Sequence, residues 1–248
     1  MNNKLFKTIM ATILGGISYK VAKSSIQVMR GNNDLYAPSN NFYNPNSRLN
    51  DKRIIFLGSS ITYGLTAKGD SFVDYLATEH GVNAQKEALS GSTIAGNDPS
   101  SYVERLKNNV VTNQDIDALV CQISNDQQRN KPLGEISNTF NIDDFDPSTT
   151  IGALEYIISY ANEHWNCPVV FFTCLKNDDT DYELLRKMVF KLQRKWNFEI
   201  IDLWNNEYIQ NLNQTHPEYM ADSNHPTRAG YRYCWTPVFV RELDQIVD

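Results

Sequence analysis

From Arg53 onward, short apolar runs alternate with longer stretches in which apolar residues recur at helical spacing. Arg53–Leu57, Ala118–Ile123 and Val169–Thr173 are almost continuously apolar, the pattern of strands covered on both faces. Asn83–Leu89 and Phe198–Leu203 carry a weaker strand pattern. Ser71–His80 reads as a helix that stops before Gly81, a residue that accepts the left-handed backbone of a helix end. Tyr102–Asn108 is a second helix. Thr149–Trp165 places Ile151, Leu154, Ile157, Ile158 and Ala161 on one face, and Tyr182–Trp196 does the same with Leu184, Leu185, Met188, Val189 and Leu192. Thr227–Val247 closes the chain as a helix. Strands alternating with helices predict an α/β fold, a three-layer α/β/α sandwich around a central, mostly parallel five-stranded sheet of flavodoxin-like type.

Upstream the pattern changes twice. Residues 31–51 are rich in Asn, Ser, Pro and Tyr and read as a linker or surface loop. Within residues 1–30, Phe6, Ile9, Met10, Ile13, Ile17 and Val21 share one helical face, bracketed by Lys4, Lys7, Lys20 and Lys23. Only twelve residues separate Lys7 from Lys20, too few to cross a bilayer as a straight helix. An amphipathic helix on a protein or membrane surface, a signal or anchor segment, and an unstructured leader all stay open. The main domain is expected at residues 52–248.

A chain of 248 residues suffices for one full core, and 21% charged with 41% hydrophobic residues is the composition of a globular protein. The net charge of −6 argues against a nucleic-acid partner. Cys121, Cys167, Cys174 and Cys234 contain no C-x-x-C pair, which weakens a zinc or thioredoxin-like reading. On one strand, Cys167 and Cys174 would stand roughly 23 Å apart, beyond disulfide reach. Buried reduced thiols favour a cytoplasmic location, with peripheral membrane contact through residues 4–23 or export as alternatives.

Chemistry is concentrated at the two ends of this domain. Residues 54–64 read as a buried strand that stops at Gly58 and presents Ser59, Ser60 and Thr62 on the next turn. Asp222-Ser223-Asn224-His225-Pro226 supplies a carboxylate and an imidazole three residues apart. A serine becomes a useful nucleophile only when a base takes its proton and a third group orients that base. Ser90-Gly91-Ser92 and Ser124-Asn125-Asp126 are candidates to complete an oxyanion hole. Ser60, Gly91, Asn125 and His225 follow the first, second, third and fifth expected strands, at the sheet edge where reactive groups of such folds gather. His80 and His164 look like helix-end residues, and His216-Pro217 lacks the Asp three positions earlier.

These four blocks, in this order across residues 53–240, resemble those of the SGNH (GDSL-type) serine hydrolase family. The resemblance implies a serine esterase with Ser60 as nucleophile, His225 as general base and Asp222 as its orienting partner. It implies an oxyanion hole built from Ser60, Gly91 and Asn125, no metal or organic cofactor, and a small-molecule or carbohydrate ester as substrate. The oligomeric state is not indicated. Two positions depart from the family pattern. Ser59 stands where the family has Asp, and Ile123 replaces the glycine of Gly-x-Asn-Asp, an exchange expected to narrow the pocket or tilt Asn125. Asp126 is expected to fix loops. The departures leave room for a catalytically inactive carbohydrate-binding relative.

A flavodoxin-like FMN-binding electron carrier, with Ser59–Thr66 cradling the flavin phosphate, is another alternative. It leaves Asp222, His225 and Asn125 unexplained. A dinucleotide enzyme is disfavoured because no G-x-G-x-x-G follows a strand. Asn40–Asn46 and Gln127–Asp146 are expected to wall the pocket. The polarity of the second segment, with Arg129, Lys131, Asp143 and Asp144, points to a small acyl group on a polar carrier such as an acetylated sugar.

Overall fold

The computed structural model describes residues 24–40 and 42–247. The expected apolar helix face from Phe6 to Val21 lies outside the described residues. Strands and helices then alternate along the chain. They are β1 (Arg53–Gly58), α1 (Ser60–Tyr63), α2 (Phe72–His80), β2 (Asn83–Ala88), α3 (Tyr102–Asn109), β3 (Ala118–Gln122), α4 (Thr150–His164), β4 (Val169–Phe172), α5 (Thr180–Trp196), β5 (Glu199–Ile201), α6 (Glu207–Thr215) and α7 (Thr236–Ile246). The strand order is β2-β1-β3-β4-β5 and every pairing is parallel, the flavodoxin-like order.

Central position explains the apolar runs. Every residue of β3 and β4 is buried, as is all of β1 except Arg53, because helices cover both faces. Strands β2 and β5 sit at the sheet edges: β2 has no fully buried position, and β5 has one, Ile201. Phe72, the first residue of α2, stacks on Phe239 of α7 at 3.9 Å and meets Phe56 and Phe172 edge-on, so one ring joins two helices to the sheet.

Helix ends follow local chemistry. The Ser71 hydroxyl and the Asp74 carboxylate form a reciprocal capping box at the start of α2, and Gly81 ends it at φ 70°. Within α5, Leu184 turns outward and is half exposed, against expectation, while Tyr182, Leu185, Val189 and Leu192 form the buried face. The C-terminal helix is not uniform. Arg228–Gly230 is α-helical, Tyr231–Trp235 is π-helical, and α7 follows. The wide turn falls just before Pro237, whose ring would otherwise press on the Tyr233 carbonyl four residues earlier.

Segments of residues 32–40 and 42–51 pack against the domain. Asn32 Nδ2 donates to Thr66 O and its Oδ1 accepts from Arg228 N, which links the segments on either side of the catalytic candidates. Leu49 is fully buried. All four cysteines are free and buried, and burial pushes the thiols of Cys167 and Cys174 up to about 11. Among the described residues no helix is long and apolar enough to cross a membrane.

Candidate active site

Strand β1 ends at Gly58, and the chain turns sharply into α1. A side chain at Gly58 is impossible without rearrangement, because its Cβ would lie 1.9 Å from Thr62 Oγ1. The turn is closed from below by Gln122 at the end of β3. Its Oε1 accepts from Ser59 N, Thr62 N and Thr62 Oγ1 at 3.0, 3.2 and 2.8 Å. Ser60 is thereby presented above the carboxyl edge of the sheet.

The imidazole arrives from the opposite end of the chain. Asp222 Oδ1 accepts from the backbone N–H groups of Asn224 and His225, both at 2.8 Å, so the Asp-x-x-His loop is folded around its own carboxylate. The same carboxylate lies 2.9 Å from His225 Nδ1 through both oxygens. That contact places the ring proton on Nδ1 and leaves Nε2 as acceptor. Ser60 Oγ donates to Nε2 at 2.8 Å. Ser59 makes no such contact; it is buried and serves as the N-cap of α1. Burial pushes the Asp222 carboxyl up, but the hydrogen bonds from Asn224 and His225 outweigh it and hold the group below its ordinary value.

A cavity of about 380 Å³ opens at this point, lined by Ser60, His225, Ser92, Asn125, Gln128 and Arg129 among mainly polar residues. Asn125 thus lines the same cavity as Ser60. Gly91, exposed at φ +84°, stands outside the lining next to the Arg129 guanidinium, and its neighbour Ser92 faces the cavity. Asp126 is fully buried. Its carboxylate accepts from Ile94 N at 2.9 Å and Ala95 N at 2.8 Å and ties the loop after β2 to the loop after β3. Burial raises its carboxyl above the usual range despite those hydrogen bonds.

Three expectations about the walls need correction. The Ile123 side chain belongs to the core, not to the cavity lining, and its carbonyl accepts from the Tyr182 hydroxyl at 3.1 Å. The described residues of Asn40–Asn46 lie elsewhere: Asn44 N donates to Glu79 O, at the end of α2 where β1 and β2 begin. Of Gln127–Asp146, only Gln128 and Arg129 reach the cavity. Its remainder is drawn away by Lys195, whose ammonium donates to Ser137 O, Thr139 O and Glu155 Oε1. The loop Ser59–Thr66 does not offer a phosphate cradle either. Thr62 Oγ1 donates to Gln122 and Thr66 Oγ1 to Pro226 O, so these hydroxyls are engaged within the protein.

Sequence reasoning passed over Gln122, Arg105 and Asp179. Arg105 is 4% exposed and donates to Gly58 O, Ser92 Oγ, Ser100 O and the Glu87 carboxylate, which joins β1, β2 and the cavity loop. A glutamine closing a buried apolar run, and an arginine on the apolar face of a short helix, were the available signals.

The chain matches the model of the GDSL-like lipase/acylhydrolase family over residues 56–233. It belongs to that family and is a hydrolase acting on ester bonds. Solved structures agree in fold. A Lactobacillus plantarum protein is 22% identical, with 80% of this chain and 97% of that one covered at a TM-score of 0.60. A member of the lipolytic protein G-D-S-L family from Veillonella parvula is 18% identical, covering 77% and 97% at 0.55. The acetyl xylan esterase AlAXEase is 18% identical, covering 77% and 99% at 0.53. No curated protein matches this chain.

Proposed function

We propose that this chain is a serine esterase that removes a short acyl group from a polar carrier, with residues 52–248 as its catalytic domain. The observation that carries the reading is the unbroken line from Ser60 Oγ through the His225 ring to the Asp222 carboxylate, with contacts of 2.8 and 2.9 Å. In the first step His225 Nε2 takes the Ser60 proton as Oγ attacks the ester carbonyl. Asp222 holds the imidazole and stabilises the imidazolium that forms. Negative charge moves to the former carbonyl oxygen, which the backbone N–H of Ser60 and the Asn125 amide receive; Gly91, outside the cavity lining, is not needed for this step. Collapse expels the alcohol, protonated by His225, and leaves an acyl-Ser60. Water then gives its proton to His225, attacks the acyl carbon and releases the acid and the free Ser60 hydroxyl.

A polar lining and about 380 Å³ suit an acetyl-sized acyl group with a hydroxylated carrier better than a long alkyl chain. An acetylated sugar fits that description, and the fold is shared with an acetyl xylan esterase. Buried, unpaired cysteines favour a cytoplasmic location. Hydrolysis of p-nitrophenyl acetate, butyrate and octanoate by wild type, Ser60→Ala and Ser59→Ala tests the reading. Acetate is expected to be the best substrate, with activity abolished only in Ser60→Ala. Retained activity in Ser60→Ala refutes the assigned nucleophile. Hydrolysis of acetylated xylo-oligosaccharides no faster than of a long-chain ester refutes the substrate class.

A further inference from the structure

Asn125 has an amide whose two ends are nearly the same size, so only its surroundings decide whether it offers the cavity a donor or an acceptor. An oxyanion requires the donor. Asn125 Oδ1 is enclosed and has no hydrogen-bond partner, so the oxygen itself fixes nothing. Nδ2 donates to Asp179 Oδ2. A flipped amide would set Oδ1 against that carboxylate, two acceptors face to face.

We propose that Asp179 is a positioning residue that locks Asn125 with its N–H groups outward, one held by the carboxylate and the other left for the substrate oxygen. The inference rests on the serine-esterase reading above, with Asn125 as an oxyanion donor. A carboxylate so near a developing negative charge would oppose catalysis if it were bare, and it is not. Asp179 is the N-cap of α5, where Oδ1 accepts from Asp181 N at 3.0 Å and Tyr182 N at 3.1 Å. Oδ2 also accepts from Gln128 Nε2 at 2.7 Å. The first turn of the helix and two side-chain amides therefore absorb its charge. Tyr182, on the same turn, fixes the other side of the Asn125 loop, because its hydroxyl donates to Ile123 O and accepts from Cys174 N at 2.7 Å. The start of α5 thus holds Asn125 by both side chain and backbone, at the position where the family's glycine is absent.

Two substitutions separate positioning from helix capping. Asp179→Asn is nearly isosteric and caps a helix as well as Asp does. With its oxygen on the helix N–H groups, it turns an N–H towards Asn125 and favours the flipped amide. Asp179→Ser also caps but is too short to reach Asn125, which leaves the amide free to rotate. On p-nitrophenyl acetate, kcat is expected to fall by about 10- to 100-fold in Asp179→Asn and by less in Asp179→Ser, with KM within about twofold of wild type. Loss of a nearby negative charge would by itself favour the oxyanion, so a fall in kcat reports orientation. In an Asn125→Ala background both substitutions should have no further effect. A kcat for Asp179→Asn within about threefold of wild type, or a loss that persists in Asn125→Ala, overturns the proposal. Ser60→Ala serves as the control. If it stays active the assignment of Ser60 as nucleophile fails and takes this inference with it. If it is inactive and Asn125→Ala is slow while Asp179→Asn is normal, only this inference falls.

Discussion

Gln122 and Thr62 are joined twice: the glutamine Oε1 accepts from the threonine hydroxyl at 2.8 Å and from its backbone N–H at 3.2 Å. The same oxygen takes Ser59 N at 3.0 Å, so one buried acceptor serves three donors on the turn that carries Ser60. Ser60, the proposed nucleophile, is thus placed by the end of β3, whose Gln122 lies 60 residues beyond Thr62 in sequence.

Gln122→Leu keeps the volume and removes the acceptor. Three buried donors lose their partner, and each unsatisfied donor costs about 1–3 kcal/mol. Partial relaxation should leave a loss of about 3 kcal/mol, read as a lower urea midpoint. kcat should fall with it at temperatures where the variant is still folded. A variant as stable and as active as wild type would show that the turn holds itself.

Which parts of this arrangement were legible in the sequence depended on where each residue sits. β1, β3 and β4 announced themselves because burial on both faces forces an unbroken apolar run. β2 and β5 were faint because edge strands tolerate polar residues, and β5 proved shorter than Phe198–Leu203 because Leu203–Asn205 turns into a 3-10 helix. Ser60, Asp222 and His225 were readable as candidates because a serine hydrolase site calls for a serine on the turn after the first strand and an Asp-x-x-His pair, and the structure brings the three within hydrogen-bond reach. Asp179 was not. It lies in the acidic stretch Asn177–Asp181, where no period singles out one carboxylate, and its contact with Asn125 spans 54 residues. The wall segments were misplaced for a related reason: polarity alone does not say which end of a sheet a loop reaches.

Arg105 gives a second prediction. It is buried beside the half-buried Glu87, and its guanidinium also holds Gly58 O and Ser92 Oγ at 2.8 and 3.1 Å. Arg105→Met leaves the half-buried Glu87 carboxylate without its donor, together with Gly58 O, Ser92 Oγ, Ser100 O and Glu87 O. Breaking a buried pair from one side costs about 3–5 kcal/mol. Because Ser92 lines the cavity, KM for p-nitrophenyl acetate should rise as well. A thermal melt and steady-state kinetics read both effects. An unchanged melt would mean that water replaces the guanidinium.

Glu155 supplies the contrasting case. It is fully buried, and it accepts from Lys195 Nζ at 2.5 Å, Trp196 Nε1 at 3.0 Å and Ser137 N at 2.9 Å. These contacts secure the segment that leaves the cavity after Arg129, and none of them touches the lining. Glu155→Gln should lower stability by about 3 kcal/mol by stranding the Lys195 charge. Esterase activity at 25 °C should stay within about twofold of wild type, because the loop that carries Asn125 is held separately by Asp126 and Tyr182. A large fall in kcat would show that the segment after Arg129 acts on the site.

The last prediction concerns pH and Asp222. Its folded carboxyl lies below the ordinary 3.8, since hydrogen bonds from Asn224 and His225 outweigh the upward push of burial. For a depressed carboxyl, the stabilisation is fully present above the unfolded value and disappears as pH falls through the folded one. The difference in urea midpoint between wild type and Asp222→Asn should therefore be constant from about pH 8 to 5 and close only below about 3.8. The side chain is half exposed, so solvent screening keeps that difference small. Activity behaves differently over the same range. An asparagine turns an N–H towards Nδ1, which moves the ring proton to Nε2 and removes the acceptor that Ser60 needs. kcat should fall by about 10²- to 10⁴-fold at every pH between about 5 and 8, while the midpoint barely moves. A variant that keeps its kcat would mean that His225 holds its tautomer without Asp222, and the carboxylate would then be left with the folding of its own loop.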